Sequence, residues 1–302
     1  MTQATAQPRR HQATLALDAR ATLGECIRWD ERQKLIYWVD IPGRQLHRYD
    51  PATGRDDAMP LAQEMGCFAL AERGGFICGM RSGYARLDRF GGDFTPLASP
   101  DYDPAKARFN DGRCDSAGRF WAGTMWEPRD RAGGIVYRLD ADGRFGAQCN
   151  PVIIANGITF APDGRSMTLA DTTNHVLWAF DYDLVTGIPS SRRELRSYEP
   201  ASGRPDGACV DAEGNVYVAI MAGGRVEKIS PTGELLAVIE LPIPNITCCT
   251  FAGDDLRTLY ITTARTRMTD AELAAHPYAG GLFVWRLPDG DAPGIIEPRY
   301  AG

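Results

Sequence analysis

Three short stretches of the 302-residue chain carry oxygen donors that chemistry could use: Gly24-Glu25, Asn156-Gly157 and Pro205-Asp206-Gly207. Each places one carboxylate or amide just ahead of a short strand-like run. Drawn together, Glu25, Asn156 and Asp206 offer two carboxylates and an amide carbonyl. Two carboxylates at close quarters repel, and one takes up a proton unless a cation lies between them. An all-oxygen set suits Ca²⁺, Mg²⁺ or Mn²⁺, with Zn²⁺ a borderline fit. The competing reading is local, because Asp and Asn also cap turns.

A second cluster is Arg108-Phe109-Asn110-Asp111-Gly112. An Arg and an Asn two apart on a strand project to one side. Beside a metal they suit a polyhydroxylated or anionic ligand. In isolation the same residues read as a turn leading into a strand, with a surface arginine.

For these residues to meet, the chain must return to one place several times. Strand pairs recur along it: Lys34–Tyr49 contains the first, and Gly75–Leu87, Arg119–Leu139, Ser166–Phe180, Asn215–Ile229 and Leu259–Trp285 contain the others. One bulky residue per copy (Tyr37, Phe76, Phe120, Met167, Tyr217, Tyr260) aligns at spacings of 39 to 50 residues. That period, with several strands per unit, marks β-propeller blades. The fold class is therefore all-β, a six-bladed β-propeller with four-stranded antiparallel blades. Upstream of each aligned residue lies an innermost strand, and Glu25, Asn110, Asn156 and Asp206 open four of these, 10 to 12 residues before the aligned position. One register in a closed ring brings all four to the channel mouth.

An unpaired sheet edge invites aggregation, so the ring should close on itself. Ala13–Leu17 is expected to pair with the last blade, leaving 1–12 as a flexible tail and 13–302 as one domain. Leu235–Leu241 and Gly294–Tyr300 read as outer strands. A single short helix is expected after Thr269, with Glu272 completing a capping box.

Composition excludes several classes. A net charge of -6 lacks the cationic footprint of nucleic-acid or anionic-membrane binding. No apolar run reaches the roughly 18 residues of a membrane span, and no signal-peptide core follows Arg9-Arg10. The eight cysteines show no CxxC spacing, and several sit in apolar runs, which points to a reduced, cytoplasmic protein. The four histidines share no register, no G-x-S-x-G elbow occurs, and the glycine pairs lack a following helix. Trp126, just after Gly123-Thr124-Met125, is either core or pocket wall.

Leu23-Gly24-Glu25, Arg108-Phe109-Asn110-Asp111-Gly112, Ala122-Gly123-Thr124-Met125, Asn156-Gly157, Pro205-Asp206-Gly207 and Ala279-Gly280-Gly281 occur in one order along the chain. With Phe180-Asp181-Tyr182-Asp183-Leu184 and Thr186-Gly187, they resemble the signatures of the regucalcin, gluconolactonase and luciferin-regenerating enzyme family, over nearly the whole chain. The resemblance implies a central divalent metal held by Glu25, Asn156 and Asp206, with Asp206 also moving the proton. It implies hydrolysis of sugar lactones, with Arg108 and Asn110 on sugar hydroxyls. A further substrate-contacting Glu follows the Gly-Thr-Met motif in some members, and Glu127 stands near that position, next to Pro128. The expected function is thus a metal-dependent aldonolactonase, working on a small sugar lactone as a monomer without nucleic-acid or membrane partners. Two other readings stay open: phosphotriester or aryl-ester hydrolysis on the same metal, and a non-catalytic calcium-binding propeller.

Overall fold

The computed structural model describes residues 7–149 and 152–302. Two short strands come first, β1 (Arg9–Gln12) and β2 (Thr14–Leu17). Blade one is β3 (Gly24–Asp30), β4 (Leu35–Asp40), β5 (Gln45–Asp50) and β6 (Arg55–Pro60). Blade two is β7 (Met65–Leu70), β8 (Phe76–Met80), β9 (Gly83–Leu87) and β10 (Phe94–Ala98). Blade three is β11 (Ala107–Cys114), β12 (Phe120–Trp126), β13 (Val136–Leu139) and β14 (Phe145–Ala147). Blade four is β15 (Ala155–Phe160), β16 (Ser166–Asp171), β17 (Val176–Asp183) and β18 (Ile188–Ser197). Blade five is β19 (Arg204–Val210), β20 (Val216–Met221), β21 (Arg225–Ile229) and β22 (Leu235–Glu240). Blade six is β23 (Ile246–Ala252), β24 (Thr258–Thr263) and β25 (Leu282–Arg286), with β2 as its outer strand.

This is the six-bladed propeller that the repeat period requires. The inner strands are buried along nearly their whole length because they face neighbouring blades on both sides. Aromatic pairs fill the gaps between blades: Tyr37 meets Phe76 at 4.9 Å, Trp121 meets Phe160 at 5.7 Å, and Tyr217 meets Phe251 at 4.9 Å. Tilted and edge-to-face arrangements of this kind suit the ring quadrupoles. Crowding at the centre explains the small residues there. A Cβ on Gly66 would lie 1.9 Å from the Phe109 carbonyl oxygen of the next blade.

Closure differs from the sequence expectation in two places. β2 does pair antiparallel with β25, Thr14 opposite Val284. Arg9–Gln12, read as part of a tail, instead forms β1 and adds a fifth, parallel strand to blade five, Arg9 opposite Ala237. The N-terminal chain therefore ties two blades together; residues 1–6 of the expected tail lie outside the described residues. Gly294–Tyr300 is not an outer strand, since β2 already holds that edge. It crosses the far end of the inner strands, touching them through single bridges, Asp211 with Gly294 and Ala71 with Tyr300. The expected helix is present as α1 (Asp270–Ala275), where Thr269 N–H donates to Glu272 Oε2 at 2.7 Å and Thr269 Oγ1 accepts from Glu272 N–H at 3.3 Å. Among the described residues no helix is long and apolar enough to cross a membrane, and all eight cysteines are free.

The crossing segment puts Glu297 among the inner strands. Arg113 and Arg28 both bind its carboxylate, the latter at 3.2 Å, and Thr250 donates to it at 3.1 Å. Burial opposes ionisation of Glu297, but Arg113 and Arg28 outweigh it and hold the carboxyl below its usual range. Removing that anion leaves two buried cations unmatched. Glu297→Ala is therefore expected to cost about 3–5 kcal/mol in urea unfolding. A depressed carboxyl stabilises above its unfolded pKa, so the gap between parent and variant should close as pH falls below about 4.

Candidate active site

All six inner strands slip register at the same height, between Glu25 and Arg28, Met65 and Cys67, Phe109 and Asp111, Asn156 and Thr159, Pro205 and Ala208, and Ile246 and Cys248. A bulge leaves a residue unpaired and re-aims side chains. The equivalent positions are Glu25, Gly66, Asn110, Asn156, Asp206 and Thr247. The residue four places after each pairs with Ile36, Phe76, Phe120, Met167, Val216 and Leu259 in turn. Tyr37, Tyr217 and Tyr260, aligned from sequence, thus sit one residue off the true register. The error is harmless, since the polar positions still fall in one ring.

Gly66 has no side chain, and Thr247 turns its hydroxyl to Thr262 at 2.9 Å and to the Gly24 carbonyl. The other four, Glu25, Asn110, Asn156 and Asp206, are buried and line one cavity of about 390 Å³. Arg108 and Glu127 line it too, so all six residues singled out from sequence share one site. Its size lies at the small end of ligand cavities, roughly 300–1,000 Å³. Trp126 is not in the wall. Its indole donates to Asp130 at 2.6 Å, and Arg131 covers its ring at 4.3 Å.

Hydrogen bonds fix the amides. Thr172 Oγ1 donates to the Pro205 carbonyl at 2.7 Å, so it must accept from Asn156 Nδ2, which lies 2.8 Å away. Asn156 Oδ1 is thereby turned toward Asn110, whose Nδ2 donates to it at 2.9 Å. An amide oxygen has two lone pairs, and one stays available. Asn110 Oδ1 in turn accepts from Arg108 Nη1 at 2.9 Å. Asp206 Oδ1 is buried without a hydrogen-bond partner.

The carboxylates are under electrostatic pressure. Burial, then Asp206 and Asp111, push Glu25 well above the usual carboxylate range, against opposition from Arg108. Burial and Asp111 push Asp206 up likewise, partly offset by Arg204. Two buried acids, an orphaned carboxylate oxygen and an oriented amide oxygen form a donor set that a hard divalent cation fits. Among the described residues no three His, Cys, Asp or Glu side chains are placed to hold a metal ion by themselves; the third donor here is an amide. Burial also pushes the Cys26 thiol up to about 11, which leaves it a poor nucleophile near neutral pH.

Above the ring stands a second tier, two residues upstream of the ring position in five of the six blades: Leu23, Glu64, Arg108, Ile154 and Arg204 all line the cavity. Only Arg108 was found from sequence, although Arg204 stands before Asp206 at the same two-residue spacing. A third tier comes from the loops after each second strand, including Arg129, Thr172 and Arg267. Nothing in the sequence pattern marks these. Arg81, from the same position in blade two, grips both oxygens of Glu127 at 2.8 and 3.0 Å and one of Glu64. Arg108 Nε lies 3.8 Å from each of those two acids. Glu127 is held below its ordinary value chiefly by the bond from Arg81.

A family model described as SMP-30/Gluconolactonase/LRE-like region matches residues 23–265. The chain belongs to this family. It is 44% identical over 283 residues to a 6-deoxy-6-sulfogluconolactonase of Pseudomonas putida, covering 93% of this chain and 96% of that one. Regucalcin of Gallus gallus is 36% identical over 289 residues, covering 94% and 96%. Among solved structures, a calcium-binding regucalcin of Agrobacterium tumefaciens superposes with a TM-score of 0.92 at 27% identity, over 98% of this chain and all of that one. A luciferin-regenerating enzyme gives 0.85 at 26% identity, over 96% of this chain and all of that one. Family membership accounts for the six blades and for the motif order along the chain.

Carboxyls whose pKa rises on folding stabilise below their unfolded values and lose that contribution as pH rises. In chelator, the protein should therefore weaken as pH rises above about 4. Glu25→Gln and Asp206→Asn are each expected to gain about 1–2 kcal/mol over the parent at pH 8, with the gain shrinking toward pH 5. Thermal unfolding at the two pH values measures this.

Proposed function

We propose that the protein is a metal-dependent sugar lactonase, opening a pentono- or hexono-1,4- or 1,5-lactone to its aldonic acid in a sugar oxidation pathway. The observation that carries this reading is the buried Glu25, Asp206 and Asn156 triplet at the floor of a polar cavity. Kinship with a protein named 6-deoxy-6-sulfogluconolactonase supports the lactone, and kinship with a calcium-binding regucalcin supports the cation. A reduced cytoplasmic monomer remains the expected setting.

A divalent cation held by Glu25, Asn156 and Asp206 would polarise the lactone carbonyl and take up charge as its oxygen becomes anionic. The chain's own residues do the rest. Asp206 has one oxygen without a protein partner, free to accept a proton from the attacking water. As the new carbon–oxygen bond forms, the ring carbon–oxygen bond breaks, and Asp206 returns the proton to the departing ring oxygen. Arg108 and Asn110 are linked to each other and to Asn156, so hydroxyls bound there are indexed to the reacting carbonyl. Glu127, with Arg81 across both oxygens, braces that side of the wall and completes the proposed sugar contact. Burial excludes bulk water, which strengthens each of these interactions.

Asp206→Ala and Glu25→Ala are expected to lower aldonolactone hydrolysis at least about a thousandfold, read by acid release in a pH-indicator assay, with the β-sheet circular dichroism unchanged. Exhaustive chelation should abolish the same activity, and full activity after chelation would defeat the proposal. Arg108→Ala should raise KM for sugar lactones roughly tenfold or more while metal affinity holds, since its partners are the hydroxyls and not the cation.

A further inference from the structure

Three arginines in the cavity make no direct ion pair. Arg204 stands in the second tier, and Arg129 and Arg267 come from the loops of blades three and six. Among the described residues, none of their side chains makes a hydrogen bond or an ion pair within 4.0 Å. The cavity's acids are otherwise engaged. Glu64 and Glu127 are gripped by Arg81 and flanked by Arg108, and Glu25 and Asp206 face the proposed cation. A guanidinium does not deprotonate in a protein, so the three charges repel one another permanently. Burial, then Arg267 and Arg204, press down on Arg129's affinity for its proton, so Arg129 stands within the field of both. General basicity does not explain them, because the chain is acidic overall, with a net charge of -6.

We propose that Arg129, Arg204 and Arg267 form an anion subsite, and that the lactone opened here carries an acidic substituent (sulfonate, phosphate or carboxylate) besides its hydroxyls. The proposal rests on the lactonase reading of the same cavity and narrows its substrate class. Guanidinium forks match the oxygens of all three acid groups, and such charged hydrogen bonds are stronger than neutral ones. Binding the substituent relieves the repulsion among the arginines, so the subsite favours an acidic lactone over a neutral one twice over.

The test compares four gluconolactones that carry hydroxyl, sulfonate, phosphate or carboxylate at carbon 6. One acidic lactone is expected to exceed the neutral one in kcat/KM by roughly 10- to 100-fold, and the best of the three identifies the group. Arg129→Gln, Arg204→Gln and Arg267→Gln should each shrink that ratio through KM for the acidic lactone, and Arg204→Lys should restore part of it. Equal turnover of neutral and acidic lactones, or a ratio unmoved in all three variants, overturns the subsite and leaves the lactonase reading standing. Hydrolysis of none of the four defeats the lactonase reading instead. The subsite is then decided by calorimetric titration of the whole protein with inorganic sulfate and phosphate. Binding that weakens in the Gln variants upholds it, and no binding to the parent overturns it.

Discussion

Two carboxylates forced together at the axis of a ring are the constraint around which this molecule is built. Glu25 and Asp206 are buried, repel each other and are repelled again by Asp111. Nothing in the protein fully offsets that; Arg108 and Arg204 oppose it only in part. Such a pair is costly in a fold that serves no chemistry, because burial penalises each charge and proximity penalises the second. The strain is tolerable because the surrounding sheets are over-determined, with six blades each packed against two neighbours and the N-terminal strands joining blades five and six.

The bulges convert that rigid ring into a site. A regular strand alternates its side chains between two faces, both occupied by neighbouring blades in a propeller. Breaking the register at the same height in all six inner strands provides a direction that regular pairing lacks, toward the channel. Nature of the residue at each break then decides what the channel holds. Glycine in blade two offers no side chain because the Phe109 backbone presses against it, threonine turns away in blade six, and the other four supply oxygen and amide groups. The far end of the same strands is handled differently. There Arg28, Arg113 and Glu297 form an ionic plug among the inner strands.

Charge is layered along this axis. The plug sets two arginines on one carboxylate, the ring is anionic, and the rim is cationic. A divalent ion answers the ring, and an anionic substrate answers the rim, so the two proposals are electrostatically complementary. Arg81 separates the layers by occupying Glu64 and Glu127, which otherwise would pair with rim arginines.

Repeat spacing and the polar residues heading the inner strands were legible in the sequence because both follow from local chain geometry: a blade is a fixed length of hairpin, and equivalent slots recur with it. The capping box of α1 was legible for the same reason, since its partners are three residues apart. Arg204 and Glu64 carried a readable signal, the two-residue offset already seen in Arg108 and Asn110, because alternation along a strand is also local. Other features depended on contacts between distant segments. Arg81 reaches Glu127 across 46 residues, Thr172 locks Asn156 by way of Pro205, and Glu297 travels from the last segment to meet Arg28 and Arg113. β1 found an edge on blade five that no property of Arg9–Gln12 announces. Sequence by itself determined which residues can stand at the hub, since periodicity and turn chemistry act over a few residues. Only the tertiary structure decided which charges meet partners and which do not, because that depends on where loops from different blades converge in space.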